Sequence, residues 1–187
     1  MDSETTAQGD PAGEDSTPID LLCHTAIFCI VDDQLSLLLA ERNEGPFRFQ
    51  WELPGVTPQP HEKLDAAANR ACAPLLDTNL PLELRQLGAY GNPGRDPRER
   101  AVAVVYWGVA TDLDLSDTLR NEPSGIRLVP VDEFTSNDFR FAFDHQQIAV
   151  DAVTALRQTL NSTSLATQLC ASTFTMGELQ HVYEIVF

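Results

Sequence analysis

Apolar side chains along this chain fall into short runs that alternate with polar turns and loops. Residues 21–31 and 35–40 are two such runs, and the polar turn at 32–34 separates them. This pattern predicts a β-hairpin whose first strand is buried on both faces. Residues 82–90 and 101–110 predict two further strands, with a loop rich in glycine, proline and arginine between them.

Helical periodicity marks two later segments. Apolar residues recur at helical spacing over 62–72, and Pro74 should end that helix because proline lacks a backbone N–H and clashes with the preceding turn. A second apolar stripe predicts a helix over residues 143–160 with Asp144 as its N-cap, after a short strand at 127–131. This mixture of strands and helices predicts an α/β fold, a sandwich with a mixed sheet.

The two ends of the chain differ in composition from its centre. Residues 1–18 are acidic and polar, with no large apolar side chain after the first residue, so burial cannot offset the entropy of ordering them. We therefore expect a disordered acidic tail, followed by one globular domain at 19–160. A polar linker at 161–173 and an amphipathic helix within 174–187 are expected to follow.

Net charge and cysteine usage restrict the function classes. The chain carries 28 acidic against 12 basic side chains, a formal net charge of −16, which opposes binding to nucleic-acid phosphates through bulk attraction. There is no apolar run of about 18 residues and no basic leader segment, so we expect a cytoplasmic protein without a membrane partner. The four cysteines show no C-x-x-C pairing, which favours buried reduced thiols over a zinc site.

Residues 51–79 are similar to the Nudix box, a loop–helix–loop motif of the form G-x5-E-x7-REUxEExGU with a W-x-LPG lead-in. The positions that match are Trp51, Leu53, Pro54, Gly55, Glu62 and Arg70. Where the motif has further glutamates, the chain has Ala71, Pro74 and Leu75. Val56 and Asp77 replace its two glycines. The similarity therefore holds at the start of the motif and fails in its second half.

The lost glutamates bear on metal binding. In active Nudix enzymes, the resemblance implies, such carboxylates hold Mg²⁺ around a diphosphate, where it activates the attacking water. Glu62 alone cannot build that site, so we expect no metal, no cofactor and no catalytic residue. Glu62 then remains as a helix N-terminal carboxylate and Arg70 as a loop-bracing side chain. Glu52 or Asp77 could replace the lost ligands, which leaves a Mg²⁺-dependent hydrolase open.

Segments after the box resemble one branch of the family. The loop 91–100 with the strand after it, and residues 143–145 at the start of the late helix, are similar to Nudix proteins of ADP-ribose type. Residues 174–184 resemble the opening helix of the winged helix in the Nudix-related transcriptional regulators of NAD metabolism, with Thr175 and Glu178 as a capping box. The expected fold is a Nudix-type α/β/α sandwich plus the first helix of an incomplete winged helix-turn-helix.

That resemblance implies a ligand and two macromolecular partners. The Nudix domain of such regulators senses ADP-ribose or a related nucleoside diphosphate derivative, and a homodimer binds operator DNA through its winged helices. A recognition helix would need residues after Phe187, so we expect DNA binding only in a complete version with the full winged helix. A sensor works better without turnover, because hydrolysis would destroy its own signal.

A nucleoside diphosphate sugar offers a base for stacking, a diphosphate for arginines and hydroxyls for carboxylates. The residues expected to contact it are Arg42, Arg48, Trp51, Glu52, Arg95 and Arg98. Trp51 could instead pack beneath the box helix. Arg95 and Arg98 could instead brace their loop against Asp96 and Glu99.

Three functions remain compatible with the sequence. The first is a non-hydrolytic sensor domain of a transcriptional regulator. The second is an active pyrophosphohydrolase of ADP-ribose type, and the third is a non-catalytic dimerisation or interaction module. Carboxylates converging on Glu62 would favour the hydrolase, whereas an open cleft lined by Arg42, Arg70 and Trp51 without them would favour the sensor.

Overall fold

The computed structural model describes residues 18–75, 82–110, 125–134, 139–161, 164–170 and 173–187. The strands are β1 (Asp20–Val31), β2 (Gln34–Glu41), β3 (Trp51–Glu52), β4 (Gly55–Val56), β5 (Arg85–Tyr90), β6 (Ala101–Val109) and β7 (Ile126–Pro130). The helices are α1 (Leu64–Cys72), α2 (Val131–Phe134), α3 (His145–Leu160) and α4 (Met176–Val186), with 3-10 helices at Ala73–Leu75 and Ser164–Leu169. Over these ranges no helix combines the length and apolar character needed to cross a membrane.

The strands of the described chain form one mixed sheet of seven members. Its main path runs β3-β2-β1-β6-β5, and β4 pairs with β1 while β7 pairs with β2. β1 and β6 run parallel, and the other pairs are antiparallel. The turn between β1 and β2 places Asp32 and Asp33 at φ values of 50° and 59°, which aspartate tolerates better than most residues. The predicted hairpin and mixed sheet are confirmed.

β1 lies at the centre of the sheet and is buried on both faces, as its apolar sequence predicts. Ala26 and Phe28 pack into the large core that also holds side chains of α3 and α4. Cys23 and Ile27 belong to two smaller clusters that include side chains of α1. Helices therefore cover both faces of the sheet, which is the predicted α/β/α sandwich. The four cysteines are buried free thiols, as expected.

α1 begins two residues after its predicted start and ends where the sequence predicts. The Glu62 carboxylate accepts the backbone N–H of Gln59 at 2.9 Å, so Glu62 lies in a turn before the helix. The first helical residue is Leu64. After Cys72 the chain continues as the 3-10 helix that contains Pro74, because proline cannot extend the α-helical hydrogen bonds.

Three further boundaries differ from the sequence prediction. α3 begins at His145 rather than 143, since Phe143 has a φ of 53° that a right-handed helix does not accommodate. β5 begins at Arg85 rather than 82. Val131, expected to end a strand, instead starts α2. These shifts leave the order of elements as predicted.

The expected polar linker at 161–173 packs against the domain over its described part. Leu165 and Cys170 are buried in the same large core as α3. Val182 and Val186 of α4 are buried there too, so the apolar stripe of α4 has a partner within this chain. The sequence suggested a linker because the stretch is largely polar, but Leu165, Ala166 and Cys170 are buried in the same core as Val182 and Val186 of α4.

Charged side chains also hold α4 against the β1–β2 turn. The Nε2 atom of His181 lies 3.0 Å from the Asp33 carboxylate, and its Nδ1 atom lies 3.6 Å from Glu184. On the core side, Arg157 of α3 donates from Nε to the Val186 carbonyl at 2.9 Å. The helix starts with the predicted capping box, which is confirmed, since the Thr175 hydroxyl accepts the Glu178 N–H and the Glu178 carboxylate accepts the Thr175 N–H.

The His181 contact predicts a pH-dependent attachment of α4. The Asp33 carboxylate, with Glu184, raises the pKa of His181 above its ordinary value of 6.5. A raised pKa in the folded state means that this contact contributes fully below about pH 6.5 and is lost as pH rises through the His181 pKa. We expect Asp33→Asn to lower the His181 pKa, as measured by NMR titration of the ring protons. Asp32→Asn, which removes the neighbouring charge, should change it much less.

Close packing between β4 and β1 predicts a site that tolerates only glycine. Gly55 pairs with His24, and a Cβ atom at position 55 would lie 2.1 Å from the His24 Nδ1 atom. Because the ring is buried and cannot swing away, Gly55→Ala should lower the free energy of unfolding by about 1–3 kcal/mol. Gly94→Ala, where no atom lies within 4 Å of the new Cβ, is the control. Urea midpoints at unchanged slope measure both; equal midpoints would contradict this packing.

Candidate functional site

A cleft of about 140 Å³ opens where β1, β4, the loop 91–100 and the start of α3 meet. The charged and aromatic side chains in its lining are Arg42, Glu52, Arg95, Asp96, Arg98 and Phe143. Four of these are among the six residues that the sequence proposes as ligand contacts: Arg42, Glu52, Arg95 and Arg98. The fold thus brings together side chains that lie up to 56 positions apart in the chain.

A larger groove of about 350 Å³ lies between α4 and the β1–β2 turn. Its charged lining consists of Asp33, Asp132 and Glu184 against Arg157 and His181. The excess of carboxylates disfavours an anionic ligand there. The smaller cleft has three guanidinium groups against two carboxylates, so it is the better candidate for a phosphate-bearing molecule.

Arg42 is held in place by three contacts. Its Nε atom donates to the Pro46 carbonyl at 2.9 Å, and its Nη1 atom donates to the Glu52 carboxylate. Its guanidinium carbon lies 4.7 Å from the centre of the Phe143 ring, a cation–π geometry. Burial raises the pKa of Glu52, and the Arg42 guanidinium opposes that shift. Arg42 is therefore positioned in the cleft without needing a ligand to order it.

A buried ion pair ties the loop 91–100 to the start of α3. Arg95 donates from Nε and Nη2 to the two oxygens of Asp144, at 3.0 and 2.8 Å, and its side chain is 2% exposed. Asp144 does occupy the predicted N-cap position of α3, but its carboxylate makes no cap hydrogen bond to the helix, because Arg95 takes both of its oxygens. The expected bracing of Arg95 within its own loop is likewise replaced by this pair.

Arg98 does brace its loop as the alternative interpretation predicts. Its Nε and Nη2 atoms donate to Asp96 at 3.0 and 2.7 Å, and its backbone N–H donates to the same carboxylate at 3.0 Å. These bonds hold the pKa of Asp96 below its usual range. Asp20 raises the pKa of Glu99, and the Arg98 guanidinium opposes that shift. The Arg98 side chain is 50% exposed, so its guanidinium remains accessible to a ligand.

Phe143 lies against the two more accessible arginines of the cleft. The guanidinium carbons of Arg42 and Arg98 lie 4.7 and 5.7 Å from the centre of its ring. The positive φ of 53° turns the chain just before α3 and is uncommon for a side chain without a polar group. Sequence reasoning placed Phe143 only in a family-like segment and did not identify it as a cleft residue.

The backbone of Leu53 is held between two buried histidines that also line the cleft. The His24 Nδ1 atom lies 3.2 Å from the Leu53 carbonyl, and the Leu53 N–H donates to His145 Nδ1 at 3.0 Å. Burial lowers the pKa of His24 to about 4, and burial also lowers the pKa of His145 well below 6.5. Both imidazoles are therefore neutral at pH 7. No sequence signal pointed to His24.

The two remaining predicted contacts lie apart from the lining of the cleft as described. Arg48 places its guanidinium carbon 4.6 Å from the ring centre of Phe49, an exposed side chain. Trp51 is half-buried, stacks on Phe139 with ring centres 6.3 Å apart and packs against the large core. Core packing is the alternative that the sequence gives for Trp51. Ligand contact by Arg48 or Trp51 stays a prediction.

The remnants of the box form a bidentate ion pair. Arg70 donates from Nε and Nη2 to the Glu62 carboxylate at 2.8 and 2.7 Å, and its Nη2 atom also reaches the Thr57 carbonyl at 3.0 Å. The Arg70 bond is the main cause that lowers the pKa of Glu62 to about 2. Arg70 thus braces the loop before α1. Neither residue lines the cleft.

The described part of the box does not fit a Mg²⁺ ion. Arg70 occupies both Glu62 oxygens, and the positions of the lost glutamates carry Ala71, Pro74 and Leu75. Across the described ranges, no group of three or more His, Cys, Asp or Glu side chains could hold a metal ion. Asp77, named from sequence as a possible substitute, lies outside the described residues.

Known proteins with the same architecture include transcriptional regulators. The chain is 30% identical over 163 residues to the ADPR responsive transcriptional repressor NtrR of Acinetobacter baylyi, covering 86% of this chain and 64% of that protein. It therefore spans less than two thirds of that regulator. The crystal structure of Shewanella oneidensis NrtR superposes with a TM-score of 0.81 at 28% identity, covering 89% of this chain and 77% of that one.

Two further matches concern ADP-ribose and the domain itself. The NUDIX domain of the same Shewanella protein, complexed with ADP ribose, gives a TM-score of 0.63 at 26% identity over 79% of this chain and 94% of that one. An ADP-ribose pyrophosphatase of Methanocaldococcus jannaschii is 27% identical, covering 67% of this chain and 70% of that protein. Residues 23–151 match the NUDIX domain, which is most of the described fold. The chain belongs to the NUDIX domain family.

Proposed function

We propose that the cleft binds ADP-ribose or a related nucleoside diphosphate derivative without hydrolysing it, as the sensor part of a transcriptional regulator of NAD metabolism. The observation that carries this proposal is the cluster of Arg42, Arg95 and Arg98 around one cleft in a chain of net charge −16. Guanidinium groups form paired hydrogen bonds with phosphate oxygens, which makes such a cluster suited to a diphosphate.

The arginines differ in how free they are to meet a ligand. Arg95 is buried and fully committed to Asp144, so it contributes positive charge and fixes the loop. Arg98 is half exposed. Arg42 is 13% exposed and already bonds Pro46 and Glu52, but its guanidinium lies over the same ring of Phe143 as that of Arg98. We assign the diphosphate to Arg42 and Arg98. Glu52, paired with Arg42, is the candidate acceptor for a ribose hydroxyl.

What is known of two similar proteins supports an ADP-ribose-type ligand. The Acinetobacter relative is described as ADPR responsive and as a repressor, and the Shewanella NUDIX domain has been crystallised with ADP ribose. In this chain, operator binding would require the full winged helix, and homodimerisation would follow the regulator pattern. Both extend the proposal beyond the cleft itself.

Absence of turnover is part of the proposal. Pyrophosphate hydrolysis in this family depends on Mg²⁺ held by several carboxylates. Glu62 is engaged by Arg70, and the described residues contain no group of three or more His, Cys, Asp or Glu side chains that could hold a metal ion. Because one of the similar proteins is an ADP-ribose pyrophosphatase, hydrolysis is the alternative that an experiment must test.

Calorimetric titration of ADP-ribose, with and without Mg²⁺, tests binding and turnover together. We expect saturable heat in both conditions, because the arginines do not need a metal, and intact ADP-ribose on chromatography of the recovered ligand. Cleavage to AMP and ribose 5-phosphate would show that a carboxylate outside the Nudix box pattern holds the metal. The absence of both heat and cleavage would leave the interaction module as the function.

The role of Arg98 can be tested against a matched surface arginine. Arg98→Gln should weaken ADP-ribose binding about 10- to 100-fold, the effect of losing a charged hydrogen bond of roughly 1.5–3 kcal/mol. Arg127, also half exposed and paired with a carboxylate, Glu133, lies away from the cleft. Arg127→Gln should leave the affinity unchanged. Equal affinities for both variants, with both folded by circular dichroism, would remove Arg98 from the site.

A further inference from the structure

Two buried ring nitrogens in the cleft have no hydrogen-bond partner. His24 and His145 line the cleft with ring centres 4.7 Å apart and planes at 72°. Their Nε2 atoms are buried, and no hydrogen-bond partner lies near either atom among the described residues. Buried polar atoms in proteins are almost always bonded, so two such atoms in neighbouring rings require an explanation.

The peptide group of Leu53 determines where each ring carries its proton. A carbonyl oxygen can only accept, so the His24 Nδ1 atom carries the hydrogen that faces Leu53, and its Nε2 atom keeps a lone pair. The Leu53 N–H donates to His145 Nδ1, so the hydrogen of His145 is on Nε2. Because burial keeps both rings neutral, the two histidines in the cleft lining carry one unpartnered acceptor and one unpartnered donor.

We propose that His24 and His145 form a hydroxyl-binding subsite, in which a sugar hydroxyl of the ligand accepts from His145 Nε2 and donates to His24 Nε2. This inference rests on the proposed function, since it assigns a second part of the same ligand. A hydroxyl is the group that both donates and accepts. Phosphate and carboxylate oxygens only accept, and would leave the His24 lone pair facing negative charge.

A metal ion fits these rings less well than a hydroxyl. Only His24 presents a free lone pair, because the His145 Nε2 atom carries a hydrogen. To bind a metal through Nε2, His145 would have to give up its bond to Leu53. The described residues also supply no third ligand in a group suited to a metal. A neutral subsite beside the arginines therefore complements the uncharged sugar of a nucleotide sugar, while the arginines take its phosphates.

Imidazole ¹⁵N NMR spectra test the subsite directly, since the chain has four histidines. We expect the Nδ1–H form for His24 and the Nε2–H form for His145 without ligand, assigned with His24→Asn and His145→Asn. ADP-ribose should shift both Nε2 signals. Heat of binding with unshifted Nε2 signals would overturn the subsite and leave the proposed function intact. If ADP-ribose does not bind, the proposed function fails, and ribose 5-phosphate tests the subsite alone: unshifted Nε2 signals would overturn it as well.

Affinity measurements separate ligand contact from a structural role. His145→Asn keeps a side-chain oxygen that can accept the Leu53 N–H but lacks the second ring nitrogen. We expect about three- to tenfold weaker ADP-ribose binding, the effect of one neutral hydrogen bond. His61→Asn, at an exposed histidine, should bind as the unaltered chain does. If His145→Asn lowers the melting temperature but binds ADP-ribose with unchanged affinity, the ring is structural only and the proposal is wrong.

Discussion

The structure depends on the peptide group of Leu53, whose N–H and carbonyl are both taken up by buried imidazoles. His145 brings the start of α3 to it, and His24 brings the centre of β1. The lead-in of the box is thereby fixed between the sheet and a helix more than 90 residues later in the chain. Gly55 follows from the same constraint, since the His24 ring occupies the space of a side chain there. Two side chains that line the cleft, His24 and His145, are thus held by hydrogen bonds before any ligand arrives, which reduces the entropy lost on binding.

Positively charged side chains cluster at the cleft, although the chain as a whole is acidic. Three of the twelve basic side chains line one small cleft, although the net charge is −16. The buried pair of Arg95 and Asp144 secures the wall of that cleft, because removing either partner would leave an uncompensated charge away from water. Its cost in desolvation is matched by two good hydrogen bonds. An acidic chain and a cleft with an excess of guanidinium groups therefore coexist in one protein.

Local sequence patterns predicted the helices and strands, but they did not predict contacts between residues far apart in the chain. The hairpin, the end of α1 at Pro74 and the apolar stripe of α3 all follow from spacing and propensity, and all are observed. The partner of Arg95 lies 49 residues away, and nothing near it in sequence distinguishes Asp144 from an ordinary N-cap. His24 sits in an apolar strand where its ring looks like core.

The candidate site shows the same division. Its arginines could be proposed from residue type and family resemblance, whereas the contact of two of them with the Phe143 ring accompanies a backbone conformation at positive φ that sequence does not reveal. The loss of the metal-binding glutamates was visible in the sequence because the box has fixed spacing. The ion pair between Arg70 and Glu62 was not predicted, because it depends on how the loop before α1 folds.

The central claim is that ADP-ribose occupies the cleft between β1, the loop 91–100 and α3. A crystal structure of the chain grown with ADP-ribose tests it most directly. The account predicts intact ligand, with diphosphate oxygens within hydrogen-bond distance of the Arg42 and Arg98 guanidinium groups. Density for the ligand elsewhere, with this cleft empty in the same crystal, would contradict it.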